Sequence, residues 1–256
     1  MGLLIVGTFT MFAVAGLYAT RGFVRAITGP RPGHNEGVDA YIGAAAVFYG
    51  IVAGLIGVAA WEQFASYDDR VTQEASALAT LYRNVATFPE PYNSELTKEL
   101  RAYTRAVIDG WPLLQHGIIP PKPAALLNKF QATFYSFDPK TDRDRIIYAS
   151  TVEEFNRMIE LRRLHLHEKD VGLPAPLWAV VVLGGTLTVF LTYFLALERF
   201  SVQVAMTIVS SIFVSLLLFM IVAVDHPFRG ELSIGPGAFQ LTYDQLESQQ
   251  LTTDHR

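Results

Sequence analysis

The sequence predicts an all-α membrane protein with four transmembrane helices in two pairs and a helical polar module between spans two and three. Four apolar stretches, at 3–20, 40–61, 176–197 and 202–224, lead to this prediction. Each has roughly 18 or more mostly apolar residues, which is long enough to cross the hydrocarbon core of a bilayer. Between the pairs, residues 62–174 are rich in charge and carry apolar residues at helical spacing, and strand patterning is weak throughout.

The composition narrows the classes of function that the chain can serve. Hydrophobic residues make up 51% of the chain and charged residues only 17%, and the mean hydropathy is +0.28. The net charge of −4 argues against a nucleic-acid-binding surface. The sequence contains no cysteine, which excludes disulfides, thiolate chemistry and cysteine metal sites.

Residues 1–61 are predicted to form the first transmembrane pair, with a connector at 21–38. The first span lacks the basic start of a cleaved signal peptide, so we expect it to remain as a span. The connector contains "TGPRPGHNEG", whose glycines and prolines cannot continue a helix. Span two carries Gly50 and Gly54 in a G-x-x-x-G pattern, which predicts either a packing seam between helices or a tightly packed helix that lines a pore.

Residues 62–174 are predicted to form a helical extramembrane module. No glycine or proline follows span two until Pro89, so we expect span two to continue through Trp61 as one long helix that ends before this proline. Three further helices are expected, at 93 to about 112, at 126–137, and from a cap at Thr141 or Asp142 to 170, with a rigid turn at 119–123.

Residues 175–225 are predicted to form the second transmembrane pair, joined by a loop of a few residues. Trp61 and Trp178 lie near predicted membrane boundaries on the same side, as aromatic belts do. The remaining residues, 226–256, are predicted to be a polar C-terminal tail that is mobile beyond Gln240.

Arginines in the short connecting segments predict the orientation. An even number of spans places both termini and the module on one side of the membrane. The short segments on the other side carry arginines at 21, 25, 31 and 199, against 229 and 256 in the tails. The positive-inside rule therefore predicts an extracytoplasmic module in a multi-pass protein of the bacterial inner membrane. Arg162, Arg163 and Lys169, close before span three, favour the opposite orientation.

No pattern typical of catalysis or metal binding is present, so we expect no enzymatic activity, cofactor or metal. His165 and His167 are two residues apart, and on a helix they point about 200° away from each other, which prevents chelation of one ion. Thr207, Ser211 and Ser215 share one face of span four. Their hydroxyls are expected either to bond back to the helix or to form a hydrophilic pore wall.

Four acids follow Trp61 along the same predicted helix: Glu62, Asp68, Asp69 and Glu74. One interpretation is a solvated helix face. The alternative is a ring of acids near a pore mouth if several copies surround an axis, and such a ring would favour cations.

The segment 225–230, "DHPFRG", follows span four directly. One interpretation is a helix exit, in which Pro227 stops the helix, Phe228 lies in the membrane interface and Gly230 permits a reversed turn. The alternative is a clasp in which Asp225 couples span four to the module.

Five motifs occur in a characteristic order: "HNE" at 34–36, "WEQF" at 61–64, "EASALATLYR" at 74–83, "LPAPLW" at 173–178 and "DHPFRG" at 225–230. Together they resemble the bestrophin-like domain proteins, a family of bacterial and plant membrane proteins, over nearly the whole chain. The resemblance marks ten structural motif residues: Trp61, Glu62, Glu74, Arg83, Pro174, Trp178, Asp225, Pro227, Phe228 and Gly230.

A more distant resemblance to the bestrophins, which are pentameric anion channels, implies a homo-oligomeric ion channel in the lipid bilayer. In bestrophins the second membrane helix and its apolar constriction line the pore, so Phe48, Ile51 and Ile56 are the pore-lining candidates. Only Glu231 continues the acidic run that holds calcium in animal bestrophins, so calcium gating is not expected. Bestrophins place their helical extension and termini in the cytosol, opposite to the orientation that the arginines predict.

The alternative function is a non-conducting, membrane-anchored binding or scaffold protein that acts through the module at 62–174. Spans without charge except at their borders favour this alternative, because transport paths often retain buried ionisable groups.

Overall fold

The computed structural model describes residues 2–28, 34–168, 172–195, 197, 199–225 and 233–253. Within these residues the backbone forms α-helices and one 3-10 turn but no β-strand, which confirms the all-helical fold class. In chain order the elements are α1 (Gly2–Thr28), α2 (His34–Val85), α3 (Tyr92–Gln115), α4 (Pro121–Tyr135), α5 (Asp142–Glu168), α6 (Ala175–Leu191), the 3-10 turn (Thr192–Phe194), α7 (Phe200–Asp225) and α8 (Gly237–Thr253).

Among the described residues, four elements are long and apolar enough to cross a membrane: α1, α2, α6 with the 3-10 turn, and α7. The prediction of four apolar helices is therefore confirmed. The third is shorter than predicted, because α6 ends at Leu191 and a 3-10 turn follows. The side-chain amide of Gln203 on α7 donates to the carbonyls of Tyr193 at 3.0 Å and Leu195 at 3.1 Å, so these carbonyls have partners where the helix stops.

Helix α2 is a single helix of 52 residues. It begins at His34, earlier than predicted, and it ends at Val85, before Pro89. The predicted continuation through Trp61 is thus confirmed. Residues 58–88 contain neither glycine nor proline, so no local breaker interrupts the hydrogen-bond ladder.

The chain divides into two compact units. The first consists of Met1–Gln63 and Gly172–Asp225, and the second of Phe64–Val171 and His226–Arg256. The first unit holds α1, α6, α7 and the N-terminal part of α2. The second holds α3, α4, α5, α8 and the C-terminal part of α2.

In the first unit, helix α1 packs along α7. The ring of Tyr18 meets the ring of Phe200 edge-on with centroids 5.1 Å apart, and the Arg21 guanidinium lies 3.9 Å from the same ring centroid. The hydroxyl of Tyr193 donates to the carbonyl of Ala13 at 2.5 Å. Ring and hydroxyl contacts therefore hold α1 at two levels.

Helix α6 packs tightly at Gly185. A Cβ atom there would lie 2.6 Å from Val214 Cγ1 and 2.8 Å from the Tyr49 hydroxyl oxygen. By contrast, a Cβ atom at Gly50 or Gly54 would meet nothing within 4 Å among the described parts of the chain. The small-residue seam inside the first unit therefore lies on α6, and the G-x-x-x-G pattern of α2 does not form it.

The second unit is built on aromatic packing. The rings of Phe130 and Phe134 stack with centroids 5.8 Å apart, and Phe155 lies 5.5 Å from Phe130. All three side chains are fully buried. The indole of Trp111 donates to the carbonyl of Ile234 at 3.0 Å, which attaches the segment before α8 to this core.

The predicted helix ends near 110–123 were wrong. Helix α3 continues through Pro112, and Gly110 is not a stop, because a Cβ atom there would lie 2.7 Å from Pro120 Cγ. This glycine instead permits close contact with the returning chain. Helix α4 begins at Pro121, inside the predicted turn, since the first helical residues need no N–H partner.

The start of α5 confirms Thr141 as its cap. The Thr141 hydroxyl accepts a hydrogen bond from the Asp144 N–H at 3.1 Å, and the Asp144 carboxylate accepts one from the Thr141 N–H at 3.0 Å. This reciprocal pair satisfies two backbone donors at the helix start.

The prediction of a mobile tail beyond Gln240 was wrong for the described residues, which form α8. Phe239 and Leu246 are buried in the core of the second unit, and the Thr242 hydroxyl donates to the Ala75 carbonyl at 3.3 Å. Steps of three and four between these positions place them on one helix face. Burial of this face anchors α8.

We expect Gly185→Ala to lower the thermal unfolding midpoint of the purified protein in micelles. The added methyl group must displace Val214 or Tyr49, and such overpacking costs about 1–3 kcal/mol. Gly7→Ala on α1 is the matched control, because a Cβ atom there would meet nothing within 4 Å among the described residues. Tryptophan fluorescence follows the thermal unfolding of both variants. Equal unfolding midpoints would contradict tight packing at Gly185.

Candidate functional site on helix α2

One side of α2 presents bulky apolar side chains outward. Phe48 is 71% exposed and Ile51 is 59% exposed, and Leu55 and Val58 continue the same exposed row. Steps of three and four place the four side chains on one helix face. An apolar face of this length marks contact with lipid or with another protein surface.

The opposite side of α2 faces the interior of the first unit. Tyr49, Ala53, Ile56 and Ala60 are buried there, and Ile56 is only 7% exposed. Of the three pore-lining candidates from the sequence, the structure therefore places Phe48 and Ile51 outward and Ile56 inward.

The hydroxyl row of α7 is buried within the first unit. Thr207, Ser211 and Ser215 are fully buried, and each donates to a carbonyl three or four residues earlier on α7, at 2.9, 2.9 and 3.0 Å. The expectation that these hydroxyls bond back to their own helix is confirmed.

The acids that follow Trp61 have two different environments. Glu62, Asp68 and Asp69 are exposed, as expected for a solvated helix face. Glu74 is only 1% exposed, so its placement on that face was wrong. A buried carboxylate requires compensating partners.

Glu74 lies in a buried polar cluster with side chains of α3 and α5. Its Oε2 atom is 2.8 Å from His165 Nδ1, and its Oε1 atom accepts a hydrogen bond from the Tyr103 hydroxyl at 3.5 Å. Arg162 Nη1 donates to the Tyr103 hydroxyl oxygen at 2.7 Å and lies 3.8 Å from Glu74 Oε1. The cluster therefore joins three helices of the second unit around one carboxylate.

Burial determines the chemistry of the Tyr103 hydroxyl. Desolvation raises its pKa, and the negative charge of Glu74 adds to the increase. The hydroxyl thus remains a neutral donor to the carboxylate and an acceptor for Arg162. The Trp111 ring, 5.4 Å from the His165 ring, covers the cluster.

The two histidines of "LHLH" diverge as predicted. His165 is buried in the polar cluster, while His167 is exposed. Across the described ranges, no three His, Cys, Asp or Glu side chains form a group that could hold a metal ion.

Asp225 is the last residue of α7 and is buried. Its Oδ1 atom accepts a hydrogen bond from the Leu173 N–H at 2.5 Å, directly before Pro174, the N-cap of α6. Trp178 follows half-buried in α6. Asp225 thereby ties the end of α7 to the segment that leads into α6. The other predicted residues of this motif, Pro227, Phe228 and Gly230, lie outside the described residues.

The order of these elements is that of a known family. The model described as the bestrophin-like domain matches residues 7–239. The chain belongs to the bestrophin-like domain family. No curated protein sequence matches the chain significantly.

Solved structures share the fold of this bestrophin-like chain. A crystal structure of a bacterial bestrophin homologue from Klebsiella pneumoniae superposes with a TM-score of 0.68 at 12% identity, covering 96% of this chain and 95% of that one. Two crystal structures of a membrane protein give TM-scores of 0.68 and 0.62 at 11% and 14% identity, each over 96% of this chain and over 95% and 94% of theirs. At these identities the likeness shows the fold alone.

Sequence reasoning missed the partners of Glu74 in this bestrophin-like chain. Neither Tyr103 nor Arg162 was predicted to contact Glu74, and Arg162 was considered only as a positive charge that bears on the membrane orientation. One signal was available, because Glu74 falls at helical spacing within the apolar row of Tyr67, Val71 and Leu78. An acid in a buried row indicates a buried polar network.

We expect Glu74→Gln to destabilise the protein strongly. The change keeps the shape of the side chain but leaves the buried Arg162 without its carboxylate, and removing one partner of a buried pair costs about 3–5 kcal/mol. Asp109→Asn is the control, because the Arg105–Asp109 pair at 3.1 Å is largely exposed and contributes about 0.2–1 kcal/mol. Denaturant unfolding followed by circular dichroism measures both, and a Glu74→Gln loss no larger than the control would refute a structural role for the cluster.

Proposed function

We propose that the protein is a homo-oligomeric, bestrophin-like ion channel in which α2 lines the pore, and that it has no enzymatic activity. The observation that carries the proposal is the outward apolar face of α2 around Phe48 and Ile51. Membership of the family and the fold shared with a bacterial bestrophin homologue support it.

Conduction requires several copies of the chain. Four helices in one chain enclose no aqueous path, whereas copies arranged around an axis would. The open space beside Gly50 and Gly54 allows a neighbouring helix to approach α2 closely. Phe48 and Ile51 would then form an apolar constriction that gates by dewetting. Particle images of the protein in nanodiscs test this arrangement. A monomer or a compact dimer would refute the proposed ring of copies.

The ion class is the finer part of the proposal. The resemblance to bestrophins favours an anion. The exposed acids Glu62, Asp68 and Asp69 favour a cation if they surround the pore mouth. The reversal potential in a potassium chloride gradient decides between the two.

We expect Phe48→Ala to raise the single-channel conductance several-fold in planar bilayers, because loss of the ring widens the apolar constriction and wets it. Phe213→Ala is the matched control, since Phe213 is 70% exposed on α7, outside the proposed pore. Equal conductance for both variants would contradict the proposal that α2 lines the pore. Absence of current from the wild type under varied salts and potentials would contradict the proposal that the protein conducts ions.

The uninterrupted helix α2 suggests a route for gating. Residues 48–58 and 64–85 belong to the same helix, so a displacement of the second segment would be transmitted to the first. In this proposal, the buried cluster at Glu74 fixes the second segment against α3 and α5.

A non-conducting binding or scaffold protein is the alternative. The charge-free apolar stretches favour it, because they lack the buried ionisable groups that transport paths often retain. Capture of a specific partner by residues 62–174 of the full-length protein, with no ion flux in liposomes, would establish this alternative.

For the membrane arrangement, we propose two helix pairs flanking the extramembrane residues 62–174, in the bacterial inner membrane with these residues and both termini extracytoplasmic. The arginines at 21, 25, 31 and 199 support this orientation. We expect an alkaline phosphatase reporter at residue 130 to be active and one at residue 30 to be inactive. The reverse result establishes a cytosolic module, and activity at both positions refutes the topology.

A further inference from the structure

The second unit contains a groove of about 350 Å³ between α2 and α8. On the α2 side it is lined by small side chains, among them Ala75, Ser76 and Ala79, and on the α8 side by Leu241 and Leu246. Pockets for small molecules start at about 300 Å³ and are mostly apolar. The size of the groove therefore suits a small molecule rather than a helix or a protein segment.

The groove follows from the division of one sequence motif between two helix faces. Within "EASALATLYR", Glu74, Leu78 and Tyr82 point into the core of the unit. Ser76, Ala79 and Arg83 line the groove, together with Ala75, which also belongs to the core. Small residues on this second face hold the space open where larger ones would fill it.

The charge of the groove is positive. Among the described residues, Arg83 is the one ionised side chain that lines it, and none of these lining residues is a carboxylate. The Arg83 guanidinium donates a hydrogen bond to a neutral group, the Thr80 hydroxyl oxygen, at 3.2 Å. Across the described residues no acid pairs with Arg83, although the chain carries a net charge of −4.

We propose that this groove binds a small amphipathic carboxylate. A single guanidinium matches a single negative charge, and its planar fork pairs with a carboxylate through two parallel hydrogen bonds. Gln245 and the hydroxyl of Ser76, which also line the groove, supply neutral donors beside it. The aliphatic part of the ligand lies against Leu241 and Leu246. This proposal is independent of ion conduction.

Photolabelling tests the site. The full-length protein in nanodiscs is exposed to a diazirine-bearing hexanoate, and the labelled peptides are mapped by mass spectrometry. We expect label on residues 72–83 and 238–246 and competition by unlabelled octanoate. Arg83→Gln is expected to weaken that competition about tenfold, because a charge-assisted hydrogen bond contributes about 1.5–3 kcal/mol and each 1.4 kcal/mol is tenfold.

Two further variants keep the test specific. Ser76→Leu fills the groove at an exposed position, so it is expected to abolish labelling without unfolding the protein. Arg145→Gln removes an exposed arginine that pairs with Asp142 at the start of α5 and is expected to leave labelling unchanged. Labelling that is unaffected by Arg83→Gln, equal labelling by the corresponding alcohol, or label confined to α1, α6 and α7 would each overturn the proposal.

Discussion

A peptide group in hydrocarbon has no water to bond, and this constraint governs the architecture. An apolar stretch that crosses a bilayer must satisfy its own N–H and C=O groups, which within a single segment only a helix achieves. The same requirement accounts for the hydroxyls of α7, which bond to carbonyls of their own helix. It also accounts for the helical form of the four long apolar elements α1, α2, α6 and α7.

Helix α2 shows how one helix serves two environments. Between residues 40 and 60 no side chain is charged, and neighbours in the chain decide which face is buried. Past Trp61 the pattern becomes amphipathic, and the core-facing row includes one carboxylate, Glu74. Nothing in the backbone marks the change, because the helical ladder is the same in both parts. The difference lies in what surrounds the helix.

The features that the sequence predicted are those with a local signal. Segment length and apolar runs identify the four long helices, and the lack of a breaker predicts the continuity of α2. Side-chain direction inside a uniformly apolar span has no such signal. Phe48 and Ile56 are equally apolar, yet one is exposed and the other buried. For the same reason the sequence did not single out Gly185, which forms the tight contact within the first unit, whereas Gly50 and Gly54 border open space there.

The candidate site was less predictable, because its partners are distant in the chain. Glu74 lies 29 residues from Tyr103 and 91 residues from His165. Such pairings arise from packing of α2, α3 and α5, which a single sequence does not reveal. Helix α8 was missed for a related reason, since its polar residues outnumber the few apolar ones that anchor it.

The hydrogen bonds of Gln203 and Asp225 act at opposite ends of one hairpin. Its amide occupies the carbonyls of Tyr193 and Leu195, where α6 has already ended. At the other end of the same hairpin, the Asp225 carboxylate accepts a hydrogen bond from the Leu173 N–H. Side-chain hydrogen bonds therefore fasten both ends of the α6–α7 hairpin. Loss of either side chain would release one end of the hairpin while the other stays joined.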